Sequence, residues 1–146
     1  GGWTYGAILP DQAIARTTRF KAAISGAGSG NMYGMYGDDE YAREYELELG
    51  TPWSNRAAYD RASYPFLHAD RIATPTLFQC DQIDFNVPCI GAEQLYQALR
   101  LRGLPTQLVV YTGQHHEISV PSYLRDRMQR NLAWYERFLK PAGSGP

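Results

Sequence analysis

The chain carries only two cysteines, no long apolar run and no excess of charge of either sign. Each shortage removes a class of function. Cys80 and Cys89 are too few for a disulfide scaffold, and although they lie across a predicted strand-to-helix loop, a bridge between them is open rather than required. With no CxxC pair and no His/Cys ligand spacing, a structural zinc is not expected, and no metal or other cofactor is implied. No stretch approaches the roughly 18 apolar residues that span a bilayer. Fourteen Lys and Arg against fifteen Asp and Glu leave a net charge of −1, which offers neither nucleic acid nor an anionic membrane a basic face. Internal repeats, low-complexity blocks and linkers are absent, as are an initiator Met and a charged-then-apolar leader.

What is present is core-forming material. Hydrophobic residues make up 44% of the 146 and aromatics 13%, enough to exclude disorder. The length suits one domain or part of one. Eleven tyrosines suit either a pocket or interface lining or plain half-buried surface.

Periodicity predicts an alternation of helices and short apolar runs. Residues 7–17 read as a helix disturbed by Pro10, and 20–25 as a buried strand entering the Gly26-Ala27-Gly28 turn. Residues 31–61 are irregular and rich in Tyr and Gly, with one helix expected over 38–49. Strands are predicted at 75–80 and 106–111. Between them 91–102 forms an amphipathic helix stopped by Gly103. A long helix from Ser122 to Lys140 carries Leu124, Met128, Leu132, Tyr135 and Leu139 at helical spacing and ends at Pro141. This order argues a parallel sheet of about three strands flanked by helices. Residues 142–146 read as a flexible tail.

Three places could carry chemistry. Gly2-Trp3-Thr4-Tyr5-Gly6 has the outline of a nucleophile elbow, where a hydroxyl sits on a sharp turn before a helix and the next backbone N–H, here that of Tyr5, faces a developing oxyanion. Asp84 lies just past a predicted strand, where open α/β sheets place their sites, though a plain turn residue there is the competing reading. His116 follows the next strand by about five residues. His115, His116 and Glu117 are consecutive and ill-suited to converge on one ion. His68 has no such context and reads as a surface or satisfied histidine. Thr4, Asp84 and His116 lie 80 and 32 residues apart in the order hydroxyl, acid, histidine, the chain order of α/β-hydrolase triads.

The stretches GGWTYGA (1–7), TTRFKAAISGAG (17–28), ELGTPW (48–53), TPTLFQCDQIDFNVPCIGAEQLYQAL (74–99), GLPTQLVVYTGQHHE (103–117) and RNLAWYERFL (130–139) carry a family resemblance. The chain resembles the C-terminal part of the catalytic α/β-hydrolase domain of the prolyl oligopeptidase family of serine peptidases, nearest its dipeptidyl-peptidase and acylaminoacyl-peptidase branches. The resemblance implies a partial α/β-hydrolase fold over residues 1–141 and hydrolysis of peptide bonds near peptide N-termini. It places Thr4 where the family has its nucleophilic serine, Asp84 as the triad acid and His116 as the base. Tyr5, Tyr33 and Tyr36 are candidate residues for lining the substrate pocket.

Departures from the family pattern are equally visible. Thr replaces Ser at the elbow, and its β-branch resists the strained backbone there. Ala7 stands where a second glycine is usual, His115 where Gly is common, and Glu117 replaces a small residue. The resemblance also implies a lead-in strand, a loop donating a second oxyanion N–H and a β-propeller, all upstream of Gly1. The expectation is therefore an inactive or impaired chain whose strand near 20–25 lies at a bare sheet edge. Such an edge is satisfied by self-association or by a missing upstream segment. Two other readings stay open: a non-catalytic interaction module, and an esterase of the same fold.

Overall fold

Four strands hydrogen-bond side by side, all parallel, in the order of the chain. The computed structural model describes residues 1–140, so the tail expected at 142–146 lies outside the described residues. Along the chain run β1 (Gly2–Trp3), α1 (Tyr5–Ile14), β2 (Ala23–Gly26), α2 (Met32–Met35), α3 (Ala42–Leu49), α4 (Arg56–Ala62), α5 (Tyr64–Leu67) and a 3₁₀ turn (Ala69–Arg71). Then come β3 (Thr76–Asp81), α6 (Ile90–Leu101), β4 (Thr106–Tyr111) and α7 (Pro121–Leu139).

The sheet has two packed faces, and the period-2 alternation of its strands decides which side chain meets which helix. Ala23, Phe78 and Cys80 point to one face, where they meet Ile14 of α1 and Ala92, Leu95 and Leu99 of α6. Ile24 and Leu77 point to the other and pack on Trp134 of α7, with Tyr135 and Phe138 at the margin. All six residues of β3 are buried, as a strand covered on both faces requires. Gly103 ends the turn after α6 at φ +74°, a left-handed conformation that glycine adopts freely.

Two expectations need correction. The sheet holds four strands rather than about three, because Gly2 and Trp3 pair in register with Ser25 and Gly26. A two-residue strand offers no periodicity to read, so it was invisible in the pattern. In consequence β2 is not the bare edge: β1 covers its C-terminal half, and the outer strands are β1 and β4. The irregular stretch 31–61 also contains more helix than its composition suggests, with α2 and α4 beside the shortened α3.

Cys80 and Cys89 form a disulfide, settling what the sequence left open. Cys80 lies within β3 and Cys89 caps α6, so the bridge closes the base of the loop that carries Asp84.

Candidate active site

β1 runs straight into Thr4, which takes φ 55° and ψ −129° before α1 begins. This is a left-handed φ, costly for a β-branched residue. It is held from both sides: Thr4 N–H donates to Gly26 O at 2.9 Å, and Thr4 O accepts from Ala7 N–H at 2.8 Å. The corner is tight enough that a Cβ on Gly2 would collide with the backbone carbonyl of Gly6. Around Gly6 itself there is open space, so the glycine that the turn demands is Gly2. The departure at Ala7 is absorbed by a glycine elsewhere. Ala7 is fully buried against Gly28, where any Cβ would crowd the Ala7 methyl. Tyr5 opens α1, and the N–H groups of a first helical turn have no partner within the helix.

Asp84 and His116 meet at the C-terminal ends of β3 and β4. Asp84 Oδ2 lies 2.8 Å from His116 Nδ1. The other oxygen, Oδ1, accepts N–H bonds from Asn86 at 2.8 Å and Val87 at 2.9 Å. With both oxygens occupied and the side chain wholly buried, the carboxylate cannot rotate away from the imidazole. A carboxylate on Nδ1 places the proton there and leaves Nε2 with a free lone pair. That is the tautomer a general base needs.

Cross-loop bonds hold the acid and histidine loops together. Gln82 N–H donates to Tyr111 O and Ile83 N–H to Gln114 O, each at 3.0 Å. Gly113 N–H donates to Gln82 Oε1 at 3.0 Å. Gln114 turns its own Oε1 back to accept from Ser119 N–H at 2.9 Å, closing the loop after His116. The elbow joins this assembly through Trp3, whose Nε1–H donates to His116 O at 3.1 Å. The Trp3 ring also lies under the Arg127 guanidinium of α7, 4.6 Å from its centroid. No hydrogen bond joins Thr4 Oγ1 to His116: the threonine is brought to the corner but not engaged.

Two further buried acids flank the site. Asp81, fully buried with no partner among the described residues for either carboxylate oxygen, has its pKa pushed up to about 6, chiefly by burial and then by the neighbouring Asp84. Asp11, under the elbow helix, accepts a 2.9 Å bond from Ser25 Oγ. Burial still raises it to about 7.

A cavity of about 470 Å³ opens beside Thr4 and Tyr5. Tyr33 and Tyr36 do not line it, contrary to expectation. Tyr33 donates its hydroxyl to Asp60 at 2.7 Å and Tyr36 donates to Glu46 at 2.7 Å. Tyr33 lines a different hollow with Trp53 and Arg56. The tyrosines that do line the Thr4 cavity are Tyr5, Tyr41 and Tyr45. Tyr41 and Tyr45 lie four apart on the sole helix expected within that stretch, which is the available signal. Gln114 and Trp3 offered none. His115 is exposed, its ring 5.8 Å from that of Phe85. His68 is stacked on Tyr64, its Nδ1 3.2 Å from Tyr64 O. Among the described residues no three His, Cys, Asp or Glu side chains cluster as a metal site.

A parallel sheet with helices on both faces and a sharp turn before α1, and with an acid and a histidine at neighbouring strand ends, defines a partial α/β-hydrolase fold. A sequence profile of the prolyl oligopeptidase family matches residues 1–142, and the chain belongs to that family of serine peptidases. It is 27% identical over 144 residues to the uncharacterized peptidase YuxL of Bacillus subtilis, covering 94% of this chain and 22% of that protein. It is 24% identical over 146 residues to the acylamino-acid-releasing enzyme of Rattus norvegicus, covering 94% of this chain and 20% of the enzyme. Among solved structures, a puromycin-hydrolyzing peptidase of Mycobacterium tuberculosis superposes with a TM-score of 0.86 at 26% identity, covering 99% of this chain and 22% of that one. The acylaminoacyl peptidase of Pyrococcus horikoshii shares the fold, with a TM-score of 0.84 at 24% identity over 99% of this chain and 24% of that one. The chain thus spans about a fifth to a quarter of the length of these relatives.

Proposed function

We propose that the chain carries the hydroxyl, acid and histidine of a peptidase site, with Thr4 as nucleophile, His116 as base and Asp84 as the residue that orients it. Thr4 Oγ1 attacks the scissile carbonyl while its proton passes to His116 Nε2. The Tyr5 N–H stabilises the oxyanion. As the C–N bond breaks, the same proton goes to the departing amine and leaves an ester on Thr4, which water then hydrolyses with His116 again as base. Asp84 keeps Nδ1 protonated and offsets the imidazolium charge. The observation that carries this reading is the 2.8 Å contact between Asp84 and His116 at the corner where Trp3 holds the elbow.

The substrate class is a peptide cleaved near its N-terminus. Relatives named as dipeptidyl-peptidase 5 and as acylamino-acid-releasing enzymes support it, as does a solved acylaminoacyl peptidase in complex with Z-Gly-Gly-Phe-chloromethyl ketone. Threonine slows acylation by orders of magnitude, because its methyl crowds the attack path in a backbone already strained at φ 55°. The outer strands β1 and β4 pair with further chain or with a second copy. A stable monomer by light scattering at high concentration would remove the second-copy arm.

The test is turnover of fluorogenic N-acyl-peptide and free-dipeptide amides by the protein, Thr4→Ser and Thr4→Ser/His116→Ala. The reading expects Thr4→Ser to raise turnover at least about 100-fold and the double variant to lose it. Folded Thr4→Ser with no amide turnover would leave the interaction-module reading ahead, and turnover of esters alone would favour an esterase.

A further inference from the structure

The cavity beside Thr4 is walled on one side by α3, and the charge there is unusual. Six of the chain's fifteen carboxylates fall within residues 38–48, against a single base, Arg43. Several of these acids are already engaged. Asp39 accepts a 2.5 Å bond from the Tyr45 hydroxyl and another from Tyr41 N–H. Glu46 accepts from Tyr36 on a different face of the helix. Glu44 and Glu48 are not: both line the cavity, four residues apart on one face of α3, and among the described residues neither meets a cation or a hydrogen-bond donor.

The rest of the lining fits a cation as well. Tyr41 and Tyr45 alternate with the two glutamates along the same wall, presenting aromatic surface that attracts ammonium and guanidinium groups. Ser29, which lines the cavity from the loop after β2, is 6% exposed and its hydroxyl has no partner among the described residues. A buried, unsatisfied hydroxyl is costly unless something arrives to bond it. Met32 and Val87 supply apolar lining for an aliphatic stem.

We propose that this cavity takes a cationic group of the substrate, with Glu44 and Glu48 as the carboxylates that select it. The inference rests on the hydrolytic reading of Thr4, which makes the cavity part of the substrate site. The cation has two sources: a lysine or arginine side chain entering the cavity, or the free α-amine of a peptide.

Binding of three probes at low ionic strength, followed by calorimetry, separates them: acetyl-Gly-Lys-amide, acetyl-Gly-norleucine-amide and Gly-norleucine-amide. A side-chain pocket binds the lysine peptide about fivefold more tightly than its acetylated, uncharged counterpart, since two partly exposed ion pairs contribute on that scale. An α-amine pocket instead prefers the unacetylated norleucine peptide by a similar factor. In either case Glu44→Gln/Glu48→Gln abolishes the preference and Glu46→Gln preserves it. Both substitutions are at exposed positions and keep side-chain size, so folding is unaffected. Equal binding of all three probes, binding of none, or a preference that survives the double variant overturns the proposal. Turnover by Thr4→Ser without charge preference removes this inference and leaves the hydrolytic reading. Charge-dependent binding without any turnover does the reverse.

Discussion

Trp3 donates its indole N–H to the backbone oxygen of His116, 3.1 Å away across 113 residues of sequence. The residue before the elbow is thereby fastened to the residue that would accept the elbow's proton. Trp3→Phe keeps an aromatic ring near Arg127 and removes the donor, together with part of the indole surface that packs on Gly26. The expected cost is about 1 kcal/mol in thermal unfolding, together with a several-fold slower acylation of the Thr4→Ser protein. Unchanged acylation would mean that the bond holds the fold without positioning the site.

Asp84 holds His116 through a fully occupied carboxylate. In a Thr4→Ser background, Asp84→Asn is expected to lower single-turnover acylation roughly 10³- to 10⁴-fold, because the amide no longer enforces the Nδ1–H tautomer. The stability change should be small if the amide oxygen still accepts from Asn86 and Val87. Circular dichroism checks the fold beside the kinetics, and a loss below tenfold would contradict the role assigned to Asp84.

Asp11 makes stability depend on pH. Its folded pKa of about 7 lies above the ordinary 3.8, so between these values the folded state holds a proton that the unfolded state has released. Its contribution is fully present below about pH 4 and lost as pH rises through 7. Asp81, raised to about 6, acts in the same direction over a narrower window. Asp11→Asn keeps an acceptor for Ser25 and should flatten the decline, gaining up to about 4 kcal/mol relative to the parent above pH 7. Urea unfolding at pH 4.5, 6 and 8 measures it, and parallel profiles for the two proteins would refute the assignment.

The Cys80–Cys89 bridge closes a short loop around Asp84. Cys80→Ser/Cys89→Ser should cost about 2–3 kcal/mol through the freed unfolded chain and speed amide exchange of residues 82–88 more than that of β4. Hydrogen exchange resolved by residue reads both effects. Uniform acceleration across the sheet would show that the bridge stabilises the domain without stiffening the acid loop.

Much of this was legible in the residues. The 106–111 strand is legible to the residue, and 75–80 and 91–102 to within one, since burial on defined faces leaves a period. The α/β order followed from those elements. Other features leave no local trace. β1 is too short to have a period, and the Trp3–His116 bond joins positions that only the fold brings together. Composition suggested tyrosines near the elbow but not which ones, because Tyr33 and Tyr36 are held by Asp60 and Glu46 while Tyr41 and Tyr45 face the cavity. The separation depends on how α3 is rotated, which its few apolar residues did not announce. Ala7 departs from the elbow pattern in the sequence, and only the fold places Gly28 opposite it.

The most direct test is to treat the Thr4→Ser protein with a fluorophosphonate and map the adduct by peptide mass spectrometry, with Thr4→Ser/His116→Ala as control. Phosphonylation at residue 4, abolished when His116 is removed, is the predicted result. An unmodified residue 4 in folded protein, or labelling indifferent to His116, would contradict the account.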